Sequence, residues 1–137
     1  MSVRSNYPED ISIHSKSLTS LEQFRDLKGV HSLDCSYSGI TDLVGLPLGL
    51  QFLDCSYTDI SKIEGLPPTL TYLLCHHTKI TSLVDLPPTL KVLDCSCTPL
   101  ETLIIPPSLK CLVCSYTSLR EPPTRGNLQV FEYKCIT

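Results

Sequence analysis

One phrase recurs along this 137-residue chain at a step of 20, and a step that short decides what the chain can become. Leu50-Gln-Phe-Leu-Asp-Cys-Ser-Tyr-Thr-Asp-Ile60 returns as Leu70-Thr-Tyr-Leu-Leu-Cys-His-His-Thr-Lys-Ile80 and again as Leu90-Lys-Val-Leu-Asp-Cys-Ser-Cys-Thr-Pro-Leu100. It returns once more from Leu109 to Leu119, after one residue is lost before Ile105. Val30 to Ile40 fits the same frame, and degenerate copies run from Pro8 to Leu18 and from Leu128 to the C-terminus. A fixed period of this size is the signature of units that cannot fold singly and must stack.

Within each unit, strand alternation puts Leu53 and Cys55 on one face, with Asp54 and Ser56 on the other. Stacked in parallel, the copies place Leu33, Leu53, Leu73, Leu93 and Leu112 in one buried column. Ile40, Ile60, Ile80, Leu100 and Leu119 form a second column, and Leu43, Ile63, Leu83 and Leu103 a third. Seven strands with six steps of about 4.8 Å give a solenoid roughly 29 Å long.

The return limb of each unit repeats Leu66-Pro-Pro-Thr-Leu70, Leu86-Pro-Pro-Thr-Leu90 and Ile105-Pro-Pro-Ser-Leu109. Paired prolines fix φ and remove two donors, so these limbs are expected to be extended, polyproline II or 3₁₀, without α-helix. The first unit differs. Ser20-Leu-Glu-Gln23 reads as a capping box, with Leu21, Phe24 and Leu27 at helical spacing before Gly29, which predicts one short helix at about 21–28. The expected fold is therefore an α/β-type solenoid, mostly β, in a single domain over 1–137. Its parts are a degenerate first repeat with the helix (1–29), regular repeats (30–128) and a terminal strand (129–137).

This pattern resembles the leucine-rich repeat, in the short form of about 20 residues carried by bacterial effector proteins with their Leu-Pro-Pro-x-Leu phrase. The Cys-Ser-Tyr-Thr stretch is also similar to repeat proteins of giant DNA viruses. The resemblance covers about residues 30–128 and implies a binding fold rather than a particular partner. The Asn usual at the ninth repeat position is replaced by Ser38, Thr58, Thr78, Thr98 and Thr117. Because a hydroxyl makes fewer bonds than an amide, a weaker ladder is expected there.

Eight cysteines in a chain with no apolar leader pattern are expected to be thiols in a reducing, intracellular compartment. Cys35, Cys55, Cys75, Cys95 and Cys114 share the core-facing sixth position, held by Ile13 and Tyr133 in the end copies, where a small apolar filler suffices. Cys97, Cys111 and Cys135 lie off that ladder. Cys111-Leu-Val-Cys114 and Cys95-Ser-Cys97 suggest zinc or redox motifs, but strand alternation points Cys111 and Cys114 to opposite faces, and Cys97 sits at the outer end of its strand while Cys95 faces the core, so no metal is expected.

Function is expected on the sheet face turned away from the core. Its rows read Ser32, Phe52, Tyr72, Val92 and Cys111; Asp34, Asp54, Leu74, Asp94 and Val113; Ser36, Ser56, His76, Ser96 and Ser115; and Tyr37, Tyr57, His77, Cys97 and Tyr116. Tyr57, Tyr72, Leu74, His76 and His77 form the candidate protein-binding patch, with Asp34, Asp54 and Asp94 beside it, since aromatic residues dominate binding hot spots. Asp34 and Asp54 are expected side by side on neighbouring rungs, an unfavourable placement of like charges.

Ser, His and Asp all occur on this face, yet a flat sheet offers neither pocket nor oxyanion hole, and no nucleotide or metalloprotease motif is present, so no enzyme and no cofactor are expected. A net charge of −3 argues against nucleic acid and anionic membrane, and no apolar run is long enough to span a bilayer. The expected role is a viral or effector module binding a host protein. The alternative is a scaffold or virion component assembling through the solenoid ends, with a weak homodimer through the last rung near Phe131.

Overall fold

The computed structural model describes residues 10–134. Cys135 and the residues before Asp10 lie outside it, so expectations placed on them are not addressed below. Nine short strands follow the repeat: β1 (Asp10–Ser12), β2 (Ser32–Asp34), β3 (Phe52–Asp54), β4 (Tyr72–Leu74), β5 (Ser82–Leu83), β6 (Val92–Asp94), β7 (Thr102–Leu103), β8 (Cys111–Val113) and β9 (Val130–Glu132). Seven form one sheet in the order β1-β2-β3-β4-β6-β8-β9. Every pairing in it is parallel, and Ile11, Leu33, Leu53, Leu73, Leu93, Leu112 and Phe131 stand in direct register. The chain is a mostly β parallel solenoid.

The three columns are where the periodicity put them. Leu33, Leu53, Leu73, Leu93 and Leu112 are wholly buried, as are Ile40, Ile60, Ile80 and Leu100, while Leu119 is half-buried near the end of the array. Leu43 and Leu83 are buried, and Ile63 and Leu103 pack against them from a more open position. In the third column, β5 and β7 pair as a second, two-stranded sheet, a feature the periodicity did not announce.

The predicted helix at 21–28 is not formed. A single 3₁₀ turn, Glu22–Phe24, takes its place, continued by hydrogen bonds from Phe24 N–H to Leu21, Arg25 N–H to Glu22 and Leu27 N–H to Phe24. Spacing explains the difference. Leu21, Phe24 and Leu27 are three apart, which aligns them in a 3₁₀ helix of three residues per turn and would spread them around an α-helix. The capping box is absent too, because the Ser20 hydroxyl accepts from Glu22 N–H and not from Gln23.

The paired prolines take the turned, 3₁₀-type form of the expected limb rather than the extended one. Leu70 N–H donates to Pro67 O, Leu90 N–H to Pro87 O and Leu109 N–H to Pro106 O, so the second Pro sits at the first corner of a hydrogen-bonded β-turn, where its fixed φ is favoured. The hydroxyl that follows then clamps the rung before it. Thr69 Oγ1 donates to Leu50 O and Leu48 O, Thr89 Oγ1 to Leu70 O and Pro68 O, and Ser108 Oγ to Leu90 O. The hydroxyls at the ninth position are not a weakened ladder; they are not a ladder at all. Ser38, Thr58, Thr78, Thr98 and Thr117 are buried, and each donates to the carbonyl three residues back in its own rung, closing the turn after the strand.

The five ladder cysteines are free and fully buried, and Cys97 and Cys111 are free and half-buried. Burial first, then the charges of Asp34 and Asp54, push the Cys35 thiol up to about 12 from 9.0. Burial and then Asp94 push Cys114 to about 11, and Cys55, Cys75 and Cys95 are raised as well, chiefly by burial. Thiol reagents are therefore expected to label Cys97 in the native protein and to leave Cys55, Cys75 and Cys95 untouched until denaturant is added. Labelling of Cys75 as fast as Cys97 would contradict its place in the core.

The same thiols set a pH limit. Because their protonated form is favoured in the folded state, stability is fully present below the unfolded thiol value near 9 and is lost as pH rises from there toward about 12. Urea midpoints are expected to fall steeply across that window, and less steeply in Cys55→Ala. Equal slopes in the two proteins would contradict the assignment.

Candidate functional site

The strand face turned from the core carries the expected rows. Ser32, Phe52, Tyr72, Val92 and Cys111 are in register, as are Asp34, Asp54, Leu74, Asp94 and Val113. Phe52 and Tyr72 lie 6.2 Å apart between ring centroids, over an open hollow lined also by Asp10, His31, Gln51 and Thr71.

Asp34 and Asp54 are indeed side by side. Their carboxylates face inward duties as well as solvent: Ser36 N–H donates to Asp34 Oδ1, Ser56 N–H to Asp54 Oδ1 and Ser96 N–H to Asp94 Oδ1. Each Asp thus closes an Asx turn at the end of its strand, which offsets the repulsion between neighbours. Leu74 has no carboxylate to do this for the middle rung.

The third row differs from expectation. Ser36, Ser56 and Ser115 are buried rather than exposed, because the chain turns inward directly after the ladder cysteine. Ser36 donates to Asp34 Oδ1 at 2.7 Å, and His14 Nδ1 stands 3.1 Å from both its hydroxyl and its carbonyl oxygen. His14 Nε2 is 2.8 Å from the Ser12 hydroxyl and 3.5 Å from Asp34 Oδ2. These groups gather the residue types of a catalytic triad, but the arrangement is that of a staple. Ser36 is 5% exposed and its hydroxyl donates to Asp34, not to the imidazole that would have to remove its proton. His14 ties the first rung to the second.

The fourth row has the most distinctive geometry. Tyr37, Tyr57, His77, Cys97 and Tyr116 all adopt left-handed backbone, with φ of 58°, 55°, 53°, 54° and 58°. For residues with a side chain that region is uncommon and costs about 1–2 kcal/mol per residue. Each N–H nevertheless reaches the next rung, Tyr37 to Ser56 O, Tyr57 to His76 O, His77 to Ser96 O, Cys97 to Ser115 O and Tyr116 to Lys134 O.

The corner this creates throws the side chains outward in one file. Tyr37 and Tyr57 stack at 4.4 Å and 8°, and Tyr57 and His77 at 4.3 Å and 12°. His76 meets Tyr57 edge-on at 5.2 Å, and its Nδ1 lies 3.0 Å from His77 Nδ1, so one imidazole donates to the other. Partial burial, then the neighbouring Tyr37 phenol, raises the Tyr57 hydroxyl above its ordinary value.

Of the residues predicted to form one patch, Tyr57, His76 and His77 come together on this ridge. Leu74 lies half-buried on the sheet below, while Tyr72 belongs to the separate Phe52 pair at the other end of the strand. Tyr37 and Tyr116, expected in the same exposed row but left outside the candidate patch, join the ridge. Elsewhere, Val44 and Leu48 are exposed apolar residues on the opposite flank, Leu48 standing where later rungs carry the second Pro. Among the described residues no group of three metal-ligating side chains converges, and no helix is long and apolar enough to cross a membrane.

No protein-family model and no curated protein matches the sequence. Among solved structures the chain is similar to YopM from Yersinia enterocolitica WA-314, at 31% identity and a TM-score of 0.70, over 79% of this chain and 24% of that one. It is similar also to a Shigella effector leucine-rich repeat domain, at 27% identity and a TM-score of 0.76, over 85% of this chain and 53% of the other. The chain thus spans little more than half of one neighbour and less of the other.

Proposed function

We propose that this chain, a leucine-rich repeat protein similar to those of bacterial effectors, is a non-enzymatic module that binds another protein through its exposed sheet face and the ridge beside it. One observation carries the reading: large aromatic side chains occupy a strained left-handed position in rung after rung, and stay exposed. A corner needed only for folding is met at lower cost by Gly or Asn. Tyr37, Tyr57 and Tyr116, with 53%, 36% and 48% of their surface open, are rigid amphipathic groups of the kind that anchor protein interfaces. The net charge of −3 fits neither a nucleic acid nor an anionic membrane as the partner. The likeness to effectors supports a host protein as the target, for an effector or a viral protein alike, and the buried free thiols support a reducing cytoplasmic setting.

The test compares affinity capture from host-cell extract by the intact protein and by a Tyr57→Ala, Tyr72→Ala, His76→Ala variant, followed by titration of any purified partner. Loss of these three rings is expected to weaken binding by about 30-fold or more. Identical partner sets and affinities would remove the exposed-face reading.

One observation favours assembly through the solenoid end as a second reading. Among the described residues β9 has one partner strand, and it carries exposed Val130 and the half-buried Phe131. That reading expects a solution mass that rises with concentration and returns to monomer in Phe131→Lys. A constant monomer mass in both proteins would rule it out.

A further inference from the structure

The aromatic file along the ridge has a gap of one ring. Tyr37, Tyr57 and His77 stack in sequence at 4.4 Å and 4.3 Å, and the file resumes at Tyr116. Between them stands Cys97, with the same left-handed backbone, the same hydrogen bond to the next rung and no ring. His77 and Tyr116 are therefore two rungs apart, about 9–10 Å at the inter-strand spacing of a sheet. A planar ring in van der Waals contact on both faces needs about 7–8 Å between its neighbours. The slot admits one ring, with the half-buried Cys97 side chain as its floor.

Exposure agrees with that reading. Tyr57, covered by a ring on each side, is 36% exposed, whereas Tyr37 at the end of the file is 53% exposed. Tyr116 is 48% exposed, close to the ring with an open face and unlike the covered one.

The geometry points to the Cys97 slot as the seat of a planar aromatic side chain supplied by the partner protein, inserted between His77 and Tyr116 to complete the stack. The inference rests on the protein-binding reading for the source of the ring. Its chemistry rests on the slot alone: a gap of one rung between two ring-bearing positions of the same file favours a flat, electron-rich ring over an aliphatic side chain. The main chain on both sides of the slot is already held, because His77 N–H and Tyr116 N–H are bonded to the next rung. A nucleobase is flat as well, but carries phosphate toward a protein of net charge −3 whose slot residues, His77, Cys97 and Tyr116, include no Lys or Arg.

The probe is N-acetyl-tryptophanamide, titrated into the ¹⁵N-labelled protein and followed by amide and aromatic NMR shifts. Upfield ring-current shifts are expected at Cys97, His77 and Tyr116, saturating in the millimolar range. Cys97→Tyr fills the slot and is expected to weaken the response about tenfold or more, Cys97→Ala to preserve it, and Tyr116→Ala, which removes one wall with the slot left open, to weaken it about tenfold. Four results would overturn the proposal: no shifts at these residues, an undiminished response in Cys97→Tyr, shifts centred on Phe52 and Tyr72, or tighter binding of adenosine monophosphate than of the indole.

Partner capture separates this inference from the one beneath it. A partner held as tightly by Cys97→Tyr as by the native chain overturns the slot and leaves the binding module intact. A slot that takes the probe in a protein without any captured partner fails the binding reading, and the slot with it as a partner's anchor.

Discussion

Leu73→Ala is expected to cost about 2–5 kcal/mol, from the lost burial and the cavity that remains. A domain of this size holds only about 5–15 kcal/mol against unfolding. Leu73 has no exposed surface and stands at the centre of the first column, in register with Leu53 on one side and Leu93 on the other. Each rung is only a three-residue strand with its return limb, so its contacts are almost all with the rungs before and after it. A void in a central rung therefore weakens two interfaces, whereas one in a terminal rung weakens one. Leu119→Ala, at the last and only half-buried position of the second column, with no later residue of that column stacked on it, is expected to cost about half as much or less. Urea unfolding followed by far-ultraviolet circular dichroism gives both midpoints. A Leu73→Ala midpoint equal to that of the native chain, or to that of Leu119→Ala, would contradict the nearest-neighbour account.

What the sequence makes legible is whatever depends on the unit alone. A Leu every 20 residues flanked by a core-facing Cys fixes strand phase, register and the buried columns, because parallel rungs have a single way to align identical patterns. The 3₁₀ turn was hidden by Ser20-Leu-Glu-Gln23, which mimics an α-helical capping box, although a spacing of three favours 3₁₀. The left-handed ridge was hidden for a different reason. Tyr and Cys have no preference for that backbone, which is imposed by the next rung's carbonyl receiving the N–H and by the inward turn that buries Ser56 and Thr58.

The candidate site shows the same division. Its residue types stood in the repeat, and Tyr57, His76 and His77 were recognisable as a cluster because they occupy consecutive or equivalent positions. The partition of Tyr72 from them follows from which end of a three-residue strand each occupies, a matter of geometry that composition does not carry. The bonds from His14 to Ser36 and Asp34 join residues 20 and 22 apart, and the first repeat is too degenerate to announce them.

Gly45→Ala is expected to destabilise the fold by about 2–5 kcal/mol, through about 1–3 from overpacking and about 1–2 from backbone strain. Gly45 has φ of +101°, and a Cβ there would lie 2.6 Å from Glu22 Cα and 2.7 Å from both Glu22 N and Leu21 C. All three are backbone atoms, so no side chain can swing aside; the 3₁₀ turn itself would have to lift. Lifting it uncovers Leu21 and Phe24, which are 0% and 8% exposed and close the core over the first two rungs. Gly65 supplies the control, one repeat later in the same Leu-Pro-preceding position. Its φ is +69°, yet a Cβ would meet nothing within 4 Å, because no 3₁₀ turn packs against the third rung from that side. Gly65→Ala therefore adds strain without a clash, partly offset by the lower entropy of the unfolded chain, and is expected to cost about 1 kcal/mol. Hydrogen exchange sharpens the comparison. In Gly45→Ala the amides of Phe24, Arg25 and Leu27 should lose protection while those of Cys75 and Cys95 keep theirs, since the turn detaches before the central rungs open. Equal losses in the two variants, or unchanged protection of the turn, would mean that the close approach at Gly45 is not what holds the first repeat on the array.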